Sequence, residues 1–152
     1  MPPMSDRRSP LNPRLVVADA KRAIEFYRSA LGADEVACFE DEHLGKVVHA
    51  EVRIGGSVLM LTDEAPESGS LAPPTLGGSP VLLHLEVDDA DDVGRRMVEG
   101  GADVLIPIDD RFYGAREGRL RDPFGHLWII SQKLRDMSDQ EIQAGIDSFH
   151  DA

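Results

Sequence analysis

Val17-Ala18-Asp19-Ala20 opens one helical stretch and Gly32-Ala33-Asp34 closes it; Val87-Asp88-Asp89-Ala90 and Gly101-Ala102-Asp103 do the same further along. Asp19 and Asp89 lie 70 positions apart, Gly32 and Gly101 69. A strand, an acidic cap, a helix and a Gly-Ala-Asp exit thus occur twice at nearly constant spacing. Two copies of one unit imply a pocket where they meet, with function set by the side chains that line it.

Outward from each copy the pattern extends in the same order. Leu11 to Val17 reads as a short apolar strand. Asp19 suits an N-cap, and Ala20, Ala23, Ile24, Tyr27 and Leu31 recur at helical spacing on one stripe. Gly32 can supply the left-handed residue that ends the helix. Residues 34–40 read as a strand. From Val47 to Ile54 the pattern alternates, with Val48, Ala50, Val52 and Ile54 on one face and His49, Glu51 and Arg53 on the other. Gly55-Gly56 fits a two-residue hairpin turn into an apolar strand, Val58 to Leu61.

Residues 63–79, rich in Pro, Gly, Ser and acids, read as a connection between halves. The pattern restarts at Val81 to Val87, where Leu82, His84 and Glu86 oppose Leu83, Leu85 and Val87. Ala90, Val93, Met97 and Val98 form the stripe of a second helix, followed by strands near 103–108, 111–121 and 126–132. Asp122-Pro123-Phe124-Gly125 has the composition of a tight turn. Ser138 and Glu141 fit a capping box for a separate amphipathic helix over 137–149, with Ile142, Ile146 and Phe149 on its apolar face.

The expected architecture is α+β: two tandem β-α-β-β-β modules forming a curved, cup-like mixed sheet, with a C-terminal amphipathic helix. Module one covers about 11–62, the linker 63–79, module two 80–132 and the terminal helix 137–149; residues 1–10 read as a disordered lead-in. The 152-residue chain is long enough for one domain with a sizeable core.

A formal charge of −12 argues against nucleic acid and anionic membranes as partners. No run approaches the ~18 apolar residues of a membrane span. The lone Cys38 excludes an intramolecular disulfide and a cysteine-based zinc site, and points to a reducing, cytoplasmic setting.

Leu15-Val16-Val17-Ala18-Asp19-Ala20, Ala23-Ile24-Glu25-Phe26-Tyr27 and Leu31-Gly32-Ala33, with Phe112-Tyr113-Gly114-Ala115-Arg116-Glu117-Gly118-Arg119 running into Asp122-Pro123-Phe124-Gly125-His126-Leu127-Trp128, resemble the vicinal oxygen chelate superfamily. That superfamily includes glyoxalase I, bleomycin-resistance proteins and extradiol dioxygenases, and the text is closest to its PhnB-like branch. The resemblance implies the paired-module fold, a small-molecule ligand in the cup, and a homodimer in which the terminal helix packs on its own sheet or on the partner.

In metal-using members, the ligands come from the first and fourth strands of each module. By the flanking motifs these positions fall on Asn12, Met60, Leu82 and Ile129, none of which suits a divalent cation. No metal or other cofactor is therefore expected.

The ligand-binding candidates are Arg14, Met60, His84, Glu86, Tyr113 and Arg116. His84 and Glu86 share a strand face and offer hydrogen bonds or acid–base chemistry; Tyr113 offers a ring and a hydroxyl. Arg116 or Arg119 can grip a carboxylate or phosphate, or pair with the abundant acids. Two alternatives stand beside metal-free binding: a metal-dependent lyase, isomerase or dioxygenase using non-standard ligands such as His49, Glu51, His84 and Glu86, or a ligand-free interaction module. Whether the protein catalyses a reaction is left open.

Overall fold

A computed structural model describes residues 9–149, so most of the 1–10 lead-in lies outside the described residues. Module one comprises β1 (Arg14–Val17), α1 (Ala20–Leu31), β2 (Asp34–Asp41), β3 (Lys46–Ile54) and β4 (Ser57–Asp63). Module two comprises β5 (Leu82–Glu86), α3 (Ala90–Glu99), β6 (Asp103–Asp110), β7 (Ala115–Arg121) and β8 (Leu127–Lys133), after a short α2 (Pro73–Leu76) and before α4 (Asp139–Ser148). Each module forms a four-stranded mixed sheet, ordered β1-β4-β3-β2 and β5-β8-β7-β6, with the first strand parallel to the last. The α+β, two-module architecture read from the repeat is the one observed.

The duplication reaches atomic detail. Asp19 and Asp89 both accept a hydrogen bond from the amide three residues on, that of Arg22 at 3.2 Å and that of Asp92 at 3.1 Å. The next amide in each helix, Ala20 or Ala90, donates across the module to the end of its last strand, to Asp63 Oδ1 at 2.7 Å or Gln132 Oε1 at 2.9 Å. These contacts satisfy donors that a helix N-terminus otherwise leaves open. An Asp in one copy and a Gln in the other conceal the equivalence in the sequence.

The helices cover one face of each sheet and contact one another, so both modules share a core. All five predicted stripe residues of α1 are buried, and so are Phe26 and Ala30, because α3 covers a second side of that helix. Gly100 at the end of α3 permits this approach: a Cβ there would sit 2.8 Å from the Phe26 ring. Val98, expected on the buried stripe of α3, is instead 47% exposed; Ala90, Val93, Gly94 and Met97 form the buried face.

Three further segments differ from the sequence reading. Between Phe39 and Glu40 the β2–β3 register slips, so Val48 becomes a bulge. The alternation changes phase there: Val47 is buried and Val48 is 42% exposed. The 63–79 connection is not structureless, since it carries a 3₁₀ turn (Pro66–Ser68) and α2, and Glu64 Oε1 accepts from the Ala72 amide at 2.9 Å. Residues 111–114 form a turn ahead of β7, with the Gly114 amide bonded to the Arg111 carbonyl at 3.2 Å. Gly114 has φ 87°, and a Cβ there would lie 2.8 Å from the Arg135 carbonyl, which explains a break where a continuous strand was expected.

The terminal helix carries the expected capping box between Ser138 and Glu141. It rests on the 111–114 turn of its own chain: the Phe112 and Phe149 rings lie 5.0 Å apart, and Gly145 leaves room for Phe112.

Candidate functional site

Strand alternation turns one face of each sheet away from the helices. On module one, register aligns Arg14, Met60, Glu51 and Ala37 in a row across β1, β4, β3 and β2. On module two, the corresponding row is His84, Ile129, Arg119 and Ile106 across β5, β8, β7 and β6. The first-strand partners of Met60 and Ile129 are thus Arg14 and His84, two residues beyond the positions carried over from the resemblance, Asn12 and Leu82. Asn12 lies ahead of β1, and Leu82 pairs with Leu127.

The duplicated rows place a carboxylate at Glu51 where the second module has a guanidinium at Arg119. Glu51 is fully buried, and its Oε2 lies 2.8 Å from His49 Nε2. Phe39 stacks on the His49 ring with centroids 6.1 Å apart. Arg14 crosses β4 to donate from Nη2 to the Val48 carbonyl at 2.8 Å, the carbonyl of the bulge residue.

On module two, Ile106, Arg111, Tyr113, Glu117, Gly118, Arg119 and Ile129 line a cavity of about 230 Å³. Gly118 is required: a Cβ there would lie 2.6 Å from the Ile106 carbonyl and 2.7 Å from the Ile108 amide, where β6 bulges against β7. Tyr113 donates its hydroxyl to Glu117 Oε1. Burial, reinforced by that carboxylate, pushes the Tyr113 phenol up to about 12. Arg111 donates to the backbone carbonyls of Pro107 and Glu117, and the Arg119 Nε is buried with no hydrogen-bond partner among the described residues.

The six predicted ligand candidates do not gather in one pocket. Tyr113 lines the module-two cavity, while Arg14 and Met60 belong to the module-one face. His84 and Glu86 are exposed beside a cleft between the modules, whose other walls include Ile54, Ser57 and Arg96. Arg116 instead ion-pairs with Asp91 at 3.1 Å and Asp110 at 2.9 Å, and these bonds raise its pKa further. Arg111 and Glu117 had no individual signal as binding residues, and Ile129 was marked only as a carried-over metal position; register and the 111–114 turn bring the three together.

A divalent metal does not fit the first- and last-strand positions of the two rows. Of Arg14, Met60, His84 and Ile129, only His84 carries an ordinary ligand atom for such an ion. Among the described residues, no three of His, Cys, Asp and Glu are placed to hold a metal ion. The non-standard set also divides, with His49 and Glu51 on β3 and His84 and Glu86 on β5.

The two-module fold has counterparts in known proteins. A profile of the glyoxalase/bleomycin resistance protein/dioxygenase superfamily matches residues 11–130. The chain belongs to this superfamily. It is 41% identical over 144 residues to an uncharacterized protein of Mycobacterium tuberculosis, Rv0887c, covering 93% of this chain and 84% of that one. The solved structure of PA1353 from Pseudomonas aeruginosa superposes with a TM-score of 0.67 at 22% identity, covering 81% of this chain and 96% of that one. TioX from Micromonospora sp. ML1 gives a TM-score of 0.65 at 26% identity, over 83% and 99% of the two chains. Among the described residues of this superfamily member, no helix is long and apolar enough to cross a membrane.

Proposed function

We propose that this member of the superfamily is a small-molecule-binding protein that works without a resident divalent metal, its ligand seated on the open face of module two. The observation that carries this reading is the cavity between Ile106, Ile129 and Gly118, into which Arg119 and Tyr113 bring polar groups. A concavity that sets fixed polar groups beside apolar walls can orient a small ligand. The donor set at the row positions supports the metal-free part.

The proposal includes a homodimer in a cytoplasmic setting. Val81, Leu82, Val104, Leu105 and Ile106 are all at least 40% exposed on module two. Exposed apolar side chains at both edges of the module-two sheet, β5 and β6, leave surface for a covering partner, and a second copy is the occupant implied by the superfamily resemblance.

A thermal-shift screen across antibiotics, aromatic acids and keto acids tests the reading. The expected result is a stabilising hit whose amide chemical-shift changes map to Ile106, Tyr113, Arg119 and Ile129. A screen with no hit, or hits mapping only elsewhere, overturns it in favour of a ligand-free interaction module. The part-buried His49–Glu51 pair supports a second reading, acid–base catalysis on module one. Turnover abolished by His49→Gln, with ligand binding intact, would establish it.

A further inference from the structure

The chain has 28 acidic side chains and 16 basic ones, so its arginines have ample opportunity to pair. Arg28, Arg95, Arg96, Arg116 and Arg121 do so. The two arginines of the module-two cavity, Arg111 and Arg119, have no carboxylate partner among the described residues. The carboxylate that shares the cavity, Glu117, is instead held by the Tyr113 hydroxyl. Arg111 is anchored by backbone carbonyls, which orient the guanidinium without neutralising it.

Arg119 is the more telling of the two. Its Nε is shut away from solvent with no acceptor among the described residues, yet its half-buried side chain lines an open cavity. Burying an N–H donor without an acceptor is costly. An anion at the guanidinium's cavity edge would offset that cost. The three ionised groups, Arg111, Arg119 and Glu117, sum to one positive charge, which suits a singly charged ligand better than a multiply charged one. The chain's overall acidity disfavours polyanions further. Ile106, Ile129 and Gly118 supply apolar surface beside the charge.

We infer that this cavity selects a small organic monocarboxylate with an apolar body, its carboxylate on Arg119 and its body against Ile106 and Ile129; the inference rests on the binding reading above. A planar guanidinium matches a carboxylate in a way that an ammonium does not.

Benzoate, benzamide and benzylammonium share one ring and differ in charge, so they test the inference on the unaltered protein. Titration followed by amide chemical shifts is expected to show benzoate perturbing Tyr113, Gly118 and Arg119, with benzamide weaker by about tenfold or more and benzylammonium silent. Arg119→Gln is expected to abolish the benzoate response while leaving the remaining amide spectrum native, and Arg119→Lys to retain a reduced one. Should Arg119→Gln fail to fold, the three-probe comparison on the native protein still decides.

Equal or tighter binding of benzamide or benzylammonium at this cavity overturns the monocarboxylate inference while leaving the binding reading intact. Benzoate binding unchanged in a folded Arg119→Gln variant also overturns it. Silence of all three probes overturns it too, and the broader screen then judges the binding reading separately.

Discussion

Tyr27 in the first helix donates its hydroxyl to Asp122 Oδ2 in the β7–β8 turn at 2.5 Å, and this bond joins the two modules through their shared core. The indole Nε1 of Trp128 donates to the same oxygen at 2.9 Å, while the amides of Phe124 and His126 donate to Oδ1 at 2.9 and 3.0 Å. His126 adds a second link by donating from Nε2 to the Val16 carbonyl at 2.9 Å. Asp122 is thus a buried carboxylate with four donors, and its turn docks one module on the other.

Tyr27→Phe removes one of those donors without opening a cavity. The expected loss is about 2 kcal/mol of unfolding free energy, typical for a hydrogen bond to a charged group. Asp122→Ala, which leaves the Tyr27 and Trp128 donors buried and unpaired, is expected to cost more. Urea denaturation with a common m-value checks both.

The chain's two tyrosines, Tyr27 and Tyr113, both resist ionisation in the fold. Burial is the leading cause in each case, followed by the neighbouring carboxylate, Asp122 or Glu117. A raised phenol pKa contributes stability that is fully present below the unfolded value near 10. That contribution is lost as the pH rises through the folded value, about 12 for Tyr113. Absorbance of phenolate is therefore expected to lag well behind the urea-unfolded chain between about pH 10 and 12. Coincident native and unfolded titrations would refute this.

Gly118→Ala would place a methyl group 2.6 Å from one backbone atom of β6 and 2.7 Å from another, where no side chain can swing aside. The expected result is destabilisation by about 2 kcal/mol. Loss of any ligand that occupies the module-two cavity should accompany it. Calorimetry, with and without ligand, checks the two effects together.

Truncation after Asp136 removes α4, whose contacts described above are with Phe112 of its own chain. Light scattering is expected to give the same oligomeric state for the truncated and full chains, while Phe112 gains solvent exposure. A truncated protein that falls to monomer would show that α4 is exchanged between subunits.

Protein purified without chelators is expected to carry only substoichiometric zinc, nickel, manganese or iron. Elemental analysis of the native protein and of His84→Ala decides it. Stoichiometric metal lost in that variant would assign a non-standard site to His84 and overturn the metal-free reading.

The module frame was legible because it depends on local signals that recur: Asp19 and Asp89 as caps, apolar spacing along α1, and alternation along β3. The same local signals misplace Val48, because a bulge depends on how β2 meets β3. They also misplace Val98, because the amount of a helix that is buried depends on its neighbours. The Asp122 turn was readable as a turn, but its role as the joint between modules was not, since Tyr27 lies 95 positions away.

The sequence by itself determined the duplicated β-α-β-β-β plan and the chemical character of residues such as Met60 and Ile129, because chain-local periodicity and residue type suffice for both. Tertiary structure alone decided which side chains share a cavity. Register shifted the first-strand partners to Arg14 and His84, acids across the fold engaged Arg116, and the 111–114 turn brought Arg111 and Tyr113 beside Arg119. Each of these depends on distances between segments far apart in the chain, which no local pattern encodes.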